Sequence, residues 1–190
     1  MYYLLSSNSR PRRRIADRPY IEDVDWWNGA VITEPVPNPL VFTLDPYEPR
    51  SPAEDQYMGA VICTNPPLWR DDFIAALEEC GTYNFDLYDV AIHDPDDGTV
   101  HTNYKAVNVL GLIAAADMDK SVATVHDGIP LIDVDFDELV VDETKTMDIQ
   151  LFRLAESSNA ILVHERLRDA LLKRGFGSDI AFYDLKEAAI

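Results

Sequence analysis

The clearest structural pattern in the chain is Asn159-Ala160-Ile161-Leu162-Val163-His164-Glu165-Arg166-Leu167-Arg168-Asp169-Ala170-Leu171-Leu172-Lys173-Arg174-Gly175. Ile161 to Val163 form a short apolar run, which predicts a strand. The positions that share one face of a following helix are Val163, Leu167, Ala170 and Leu171. Gly175 stands where this helix should end, and Tyr183-Asp184-Leu185 predicts another strand. The pattern therefore predicts a strand–helix–strand unit.

An earlier part of the chain has a similar pattern, which predicts an internal repeat of residues 58–92 and 159–185. The helix face of the first half would hold Phe73, Ala76, Leu77 and Cys80. At a fixed offset the matched pairs are Asn65 with Asn159, Leu68 with Leu162, Phe73 with Leu167, Ala76 with Ala170, Leu77 with Leu171 and Gly81 with Gly175. Two explanations stay open, a true duplication and a chance match, because any two amphipathic helices coincide at apolar positions.

Further strands are predicted along the rest of the chain. Their segments are Tyr2–Leu5, Leu40–Leu44, Tyr104–Ile113, Asp133–Asp137 and Leu151–Leu154. Tyr104–Ile113 is too apolar for an exposed edge, so we expect it in the centre of a sheet, where Asn108 would need a partner. With 190 residues and 47% hydrophobic residues, a single domain over residues 1–190 is expected. The predicted class is α+β, with a mixed, mainly antiparallel sheet and at least two amphipathic helices.

The N-terminal region contains a basic segment and a pair of tryptophans. Residues 6–19 lack apolar periodicity and include Arg10-Pro11-Arg12-Arg13-Arg14, so we interpret them as a mobile basic loop. This loop is either a solvated connection or an arm that binds anions or a partner. Trp26 and Trp27 are adjacent, and adjacent side chains of an extended chain face opposite ways. We expect one in the core and the other either exposed as an interface anchor or packed under the proline-rich loop.

The chain is strongly acidic, with a formal net charge of -18 and a pI near 4.3. Direct binding to nucleic acid is not expected, because it requires a positive surface. Any large partner is expected to be basic. No apolar run approaches the roughly 18 residues of a membrane span, and Met1–Leu5 lacks the charge order of a secretory signal. We therefore expect no membrane association and a cytoplasmic location.

The most acidic predicted strand is Asp133-Val134-Asp135-Phe136-Asp137. Its alternation places Ile132, Val134 and Phe136 on one face and three aspartates on the other. It is not an EF-hand loop, since Glu138 stands where glycine is required and Thr144 where glutamate is required. The acidic face is either a solvated surface or a docking surface for a basic partner.

Catalytic and metal-binding motifs are sparse. His93, His101 and the turn Asp94-Pro95-Asp96-Asp97-Gly98 are close in sequence, but turn chemistry explains these residues without a metal. Cys63 and Cys80 are expected to be reduced and buried. The sequence has no GxSxG, HExxH or glycine-rich phosphate loop. No metal and no cofactor are expected.

An ordered set of segments resembles the immunity protein eleven family of bacterial polymorphic toxin systems. The segments are Tyr2–Leu5, Val107–Gly111, Asp117–Ser121, Leu151–Leu154 and Ile161–Leu167. The resemblance covers about residues 58 to 185 together with the N-terminal strand, and the arginine-rich loop and the region from Trp26 to Asp45 do not match. It implies a non-enzymatic antidote that binds a cognate toxin, with a neighbouring gene as the expected source of that toxin.

We therefore predict an immunity protein that binds and neutralises a toxin, with a nuclease as the leading toxin class. The predicted contact residues are Asp133, Asp135, Asp137 and Glu138, together with one of the pair Trp26 and Trp27. One alternative is an enzyme that reverses toxin damage with a site at His93 and His101. The other is a non-catalytic adaptor within a secretion cluster.

Overall fold

A computed structural model describes residues 1–8, 13–46, 57–126, 133–187 and 190. Within these ranges the chain forms fourteen strands and two α-helices. The first seven strands are β1 (Tyr2–Ser7), β2 (Ile15–Asp17), β3 (Leu40–Leu44), β4 (Val61–Ile62), β5 (Leu68–Arg70), β6 (Phe85–His93) and β7 (Val100–His101). The other seven are β8 (Tyr104–Val109), β9 (Leu112–Ile113), β10 (Val122–Val125), β11 (Val134–Glu138), β12 (Leu151–Leu154), β13 (Ile161–His164) and β14 (Ile180–Asp184). The helices are α1 (Asp71–Glu79) and α2 (Glu165–Lys173), and the class is α+β.

The first sheet has the strand order β14-β1-β13-β12-β9. Strand β1 lies between β14 and β13 and is antiparallel to both. Strand β12 pairs with β13 in the antiparallel sense, and β9 joins β12 in parallel. The N-terminal strand is thus held between two strands from the C-terminal third of the chain.

The second sheet has the order β2-β3-β6-β8-β5-β4, and β7 pairs with β6 beside this path. Strand β8 lies between β6 and β5 and is antiparallel to both. All its residues except Lys105 are buried, which agrees with the central position predicted from its apolar sequence. Asn108 is fully buried there, and its side-chain Nδ2 donates a hydrogen bond to the carbonyl oxygen of Ala30 at 2.7 Å.

The predicted strand Tyr104–Ile113 is divided between the two sheets. Gly111 has a φ of 89°, a conformation that favours glycine, and its N–H donates to the carbonyl oxygen of Gly29 at 2.7 Å. The chain turns at this point, so Leu112–Ile113 pairs with β12 of the first sheet instead of continuing β8. One apolar run therefore connects the two sheets.

Each helix follows directly after a strand and is followed by a glycine with positive φ, Gly81 after α1 and Gly175 after α2. This is the usual end of a helix, because glycine adopts the left-handed conformation without a steric cost. The buried residues of the helices are Phe73, Ile74, Ala76 and Leu77 in α1 and Leu167 and Leu171 in α2. Charged residues occupy the solvent side of both helices.

One core cluster joins both helices to both sheets. Its members include Leu5, Leu151 and Val163 from the first sheet, Trp69, Phe85 and Val107 from the second, and Phe73, Leu77, Leu167 and Leu171 from the helices. Trp69 packs edge to face on Phe73 and on Phe85, with ring centroids 5.5 and 5.7 Å apart. Two further clusters lie under the β10–β11 hairpin and around Trp26.

The basic segment 6–19 contains strand residues near both of its described ends, where the sequence predicts a loop. Strand β1 extends to Ser7, and Ile15–Asp17 forms β2 against β3. Arg13 is held by ion pairs described below. Arg10, Pro11 and Arg12 lie outside the described residues.

Two further expectations concern cysteine burial and membrane spans. Cys63 is exposed, which corrects the prediction of a buried thiol, whereas Cys80 is partly buried against the main core cluster. Within the described residues, neither helix has the length and apolar character that a membrane crossing requires.

Candidate functional site

The acidic face is carried by β11, in a hairpin with β10. Val134 and Phe136 are 6% and 1% exposed and pack into the cluster beneath the hairpin. Asp133, Asp135 and Asp137 are exposed on the opposite side, as the alternation of the sequence predicts, and Glu138 is exposed after them. Ile132 lies outside the described residues. The four acidic residues therefore form one outward surface, called the acidic face below.

One aspartate of the acidic face has a partner in the residue that directly follows β10. His126 Nε2 lies 2.7 Å from Asp135 Oδ2. The hydrogen bond and the charge of Asp135 raise the pKa of His126 above its ordinary value of 6.5. The net negative charge of the acidic face together with His126 is therefore expected to grow as pH rises through the raised pKa of His126, because the imidazole then loses its positive charge.

The two edges of this hairpin differ. The outer edge of β11 is occupied, because Val134 N–H donates to the carbonyl oxygen of Glu156 at 3.1 Å and Phe136 exchanges two hydrogen bonds with Ile190. Strand β10 pairs with β11 alone among the described residues. Val122 and Val125 on this strand are 50% and 60% exposed. As far as the described residues show, the acidic face thus adjoins an apolar strand edge that has no partner strand.

The tryptophan pair does not join the acidic face. Trp26 is 5% exposed and packs edge to face on Tyr88, with ring centroids 5.1 Å apart. Trp26 is therefore the member of the pair that lies in the core, and it is not available as a surface contact. Trp27 is half-buried and lines a cavity that also contains Arg153. Of the two, only Trp27 remains a candidate contact, at a place separate from the β10–β11 hairpin.

The acidic residues of the turn after β6 form ion pairs with Arg13. The guanidinium group of Arg13 lies 2.9 Å from Asp94 Oδ2 and 2.8 Å from Asp96 Oδ2, and it donates to the carbonyl oxygen of Asp45. The side chains of Arg13 and Asp94 are only 8% and 11% exposed. Burial alone would raise the pKa of Asp94, but hydrogen bonds from Arg13 and from the Asp96 amide lower it below its ordinary value. The turn therefore binds an arginine of the same chain.

The two histidines of the alternative enzyme site do not face each other. Ile92 is directly opposite His101 in the ladder of β6 and β7, and His93 is opposite Val100. Directly opposed residues share one face of a sheet, and successive residues alternate between faces. His93 and His101 therefore lie on opposite faces. His101 lines a polar cavity beside Arg13 and Tyr104, whereas His93 is exposed.

Arg153 is a feature that the sequence analysis missed. The sequence of Leu151-Phe152-Arg153-Leu154 predicts only an apolar strand, yet the strand carries a buried arginine, and Arg153 is 3% exposed. The available signal was a single charged residue within an otherwise apolar strand, since buried arginines without a partner are rare.

Comparisons with protein-family models and with curated proteins found no match to this chain. The resemblance to the immunity family therefore remains a proposal.

Proposed function

We propose that this chain is a bacterial immunity protein that binds and neutralises a cognate toxin in the cytoplasm through the acidic face of the β10–β11 hairpin. The observation that carries the proposal is the orientation of Asp133, Asp135 and Asp137, which all point outward from one strand. Like charges at this spacing repel, and His126 forms a hydrogen bond with Asp135 alone, so a positively charged partner would stabilise the array. The sequence resemblance described above gives the toxin as that partner.

The overall charge supports a basic partner. A net charge of -18 attracts a positively charged protein over long distances and accelerates its association. A nuclease-type toxin fits this description, because a substrate cleft for nucleic acid is positively charged. An acidic protein seated on such a cleft would also compete with the substrate.

The open edge of β10 supports the same surface. An unpaired strand edge offers backbone N–H and C=O groups to an added strand, and the side chains beside it determine specificity. Val122 and Val125 would supply apolar contact, and the acidic face would select a segment with basic residues. We therefore expect the interface to centre on this hairpin, with Trp27 as a second and separate contact.

We also propose that the fold contains two similar halves. In β5–α1–β6 the two strands are parallel and separated by β8, and in β13–α2–β14 they are parallel and separated by β1. The helices occupy one core cluster and each is followed by a positive-φ glycine. This shared arrangement supports a duplication of one split strand–helix–strand unit, which stays a prediction.

The test combines growth, complex formation and charge reversal. The product of the neighbouring gene is expressed with and without this protein, and growth and co-purification are scored together. The triple variant Asp133→Lys, Asp135→Lys, Asp137→Lys should bind about 100-fold more weakly, at about 1 kcal/mol for each charge, and the salt dependence of binding should flatten. The matched control is Glu22→Lys, Glu78→Lys, Glu187→Lys, which makes the same change of charge at exposed residues elsewhere.

The outcomes separate the candidate functions. Rescue of growth, a stable complex and selective loss of binding in the β11 variant support the proposal. Rescue without a complex contradicts it and favours an enzyme that repairs the damage. If the product of the neighbouring gene is harmless when expressed alone but still forms a complex, an adaptor is favoured. Equal binding by both triple variants removes the acidic face from the interface.

A further inference from the structure

A cavity of about 330 Å³ lies where the two sheets meet. Its walls include Ile161 and Arg153 from the first sheet, Trp69 from the second, and Trp27 and Asn65 from the connecting segments. The volume is at the lower end of the roughly 300–1,000 Å³ that is common for small-molecule sites. About half of the lining residues are apolar or aromatic, and the polar ones include a second arginine, Arg18.

Arg153 is the unusual polar group of this cavity. Its side chain is almost fully buried, and its Nη1 donates a hydrogen bond to the carbonyl oxygen of Ser158. Its Nε and Nη2 have no hydrogen-bond partner among the described residues, and each atom has less than 1 Å² of accessible surface, so a ligand reaches them only if a wall of the cavity shifts. Burial lowers the pKa of Arg153 to about 10, with only a weak opposing effect from the charge of Asp25. The group therefore stays protonated at neutral pH, and its charge is not paired.

The two unpartnered nitrogens indicate which group would bind. Nε and Nη2 lie along one edge of the planar guanidinium group, with their N–H bonds nearly parallel. This edge matches the two oxygens of a carboxylate or phosphate and forms a bidentate pair with them. A buried cation without an acceptor is strongly unfavourable, whereas the same cation with a bound anion is not.

Two more buried polar atoms, which belong to residues of the cavity lining, lack a hydrogen-bond partner among the described residues. Trp69 Nε1 is a donor only, and Asn65 Oδ1 is an acceptor in the assigned orientation of the amide. Both residues line the cavity together with Arg153. A ligand that carries an anionic group on an apolar body would meet the arginine and the aromatic walls at once. An inorganic anion would leave the apolar walls without contact.

We propose that this cavity binds a small organic carboxylate. A shift of the cavity wall uncovers the edge of Arg153 that carries Nε and Nη2, these atoms donate hydrogen bonds to the two carboxylate oxygens, and the apolar part of the ligand packs against Trp27 and Trp69. This site is separate from the acidic face, and the proposal does not depend on the toxin. The free-energy cost of burying an unpaired arginine is then explained, because the same group binds the ligand.

The experiment titrates the full chain with benzoate, phenylacetate and hexanoate, and uses phenylacetamide and inorganic phosphate as matched probes. Binding is followed by the thermal midpoint and by the indole N–H signals of the three tryptophans in ¹⁵N-labelled protein. We expect at least one carboxylate to bind with a Kd of about 1 mM or tighter. The signals of Trp27 and Trp69 should move, and that of Trp26, which does not line the cavity, should move less.

Two variants test the role of Arg153. Arg153→Met should abolish the response to the carboxylate and should not lower the thermal midpoint of the ligand-free protein, because it removes an unpaired buried charge. Arg153→Lys keeps the charge without the bidentate edge and should weaken binding at least tenfold. Arg174→Met, at an exposed arginine that pairs with Glu79, makes the same charge change and should bind normally.

Several results would overturn the proposal. They are the failure of all three carboxylates to bind, equal binding of phenylacetamide, equal binding of phosphate, and undiminished binding by Arg153→Met. If Arg153→Met does not fold, Arg153→Lys still decides the matter, because unchanged affinity there excludes the bidentate contact. If no carboxylate binds but Arg153→Lys weakens toxin binding, the cavity receives an acidic side chain of the partner, and the small-molecule site is wrong.

Discussion

Arg13 links the N-terminal segment to the acidic turn, and its removal would leave Asp94 charged and nearly buried. We expect Arg13→Met to lower the free energy of unfolding by about 3 kcal/mol, because one partner of a buried ion pair is then left alone. Arg14→Met at the exposed neighbour should change it by less than about 0.5 kcal/mol. Chemical denaturation at neutral pH measures both. A loss no larger than that of the control would show that the pair is solvated.

The pH dependence of this pair follows from the lowered pKa of Asp94. A carboxyl group with a lower pKa in the folded state stabilises the protein above its ordinary value of 3.8. The contribution is lost as pH falls through the lower folded pKa. The difference in stability between wild type and Arg13→Met should therefore shrink on acidification, and Arg13→Met combined with Asp94→Asn should recover part of the loss at neutral pH.

The pair of His126 and Asp135 gives a prediction at the surface. Asp135→Asn should lower the pKa of His126 towards 6.5, because the hydrogen bond and the charge that raise it are lost. Asp137→Asn is the control, since Asp137 is not among the groups that shift His126. Titration of the imidazole signals by NMR measures both. In the wild type the stabilisation from this pair is present below the unfolded pKa and disappears as pH rises through the folded one.

Among the elements, the helices supply matched positions in the shared core. Leu77 in α1 and Leu171 in α2 are both fully buried, and they correspond in the predicted repeat. Leu77→Ala and Leu171→Ala should each cost about 2–5 kcal/mol of stability through lost burial and a residual cavity. Leu172→Ala, at 44% exposure, should cost much less. Urea denaturation decides, and a small loss at either buried site would mean that its helix is loosely packed.

The elements were largely predictable because their signals are local. The apolar run before Glu165, the three-and-four spacing after it and Gly175 are all readable within a few residues of sequence. The pairing of strands is not local, so nothing near Tyr2 indicates that β1 lies between β13 and β14. The division of Tyr104–Ile113 depends on a contact between Gly111 and Gly29, which is equally remote in sequence.

The candidate sites differ in predictability for the same reason. The outward aspartates of β11 follow from strict alternation, which the sequence displays directly. Which of Trp26 and Trp27 is buried depends on a tertiary contact, the packing of Trp26 against Tyr88. The isolation of Arg153 depends on the absence of a carboxylate partner in the surrounding described structure, and sequence alone carries no record of that.

For the molecule as a whole, the net charge of -18 predicts that stability depends on salt. Mutual repulsion of the acidic groups destabilises the compact state, and screening shortens the Debye length from about 30 Å at 0.01 M salt to about 10 Å at 0.1 M. The thermal midpoint should therefore rise over this range. The control triple variant Glu22→Lys, Glu78→Lys, Glu187→Lys should show a weaker rise, because it carries less negative charge. If the β11 triple variant loses the salt dependence and this control does not, the repulsion is concentrated on the acidic face. If both variants lose the salt dependence equally, the repulsion comes from the charge of the whole molecule.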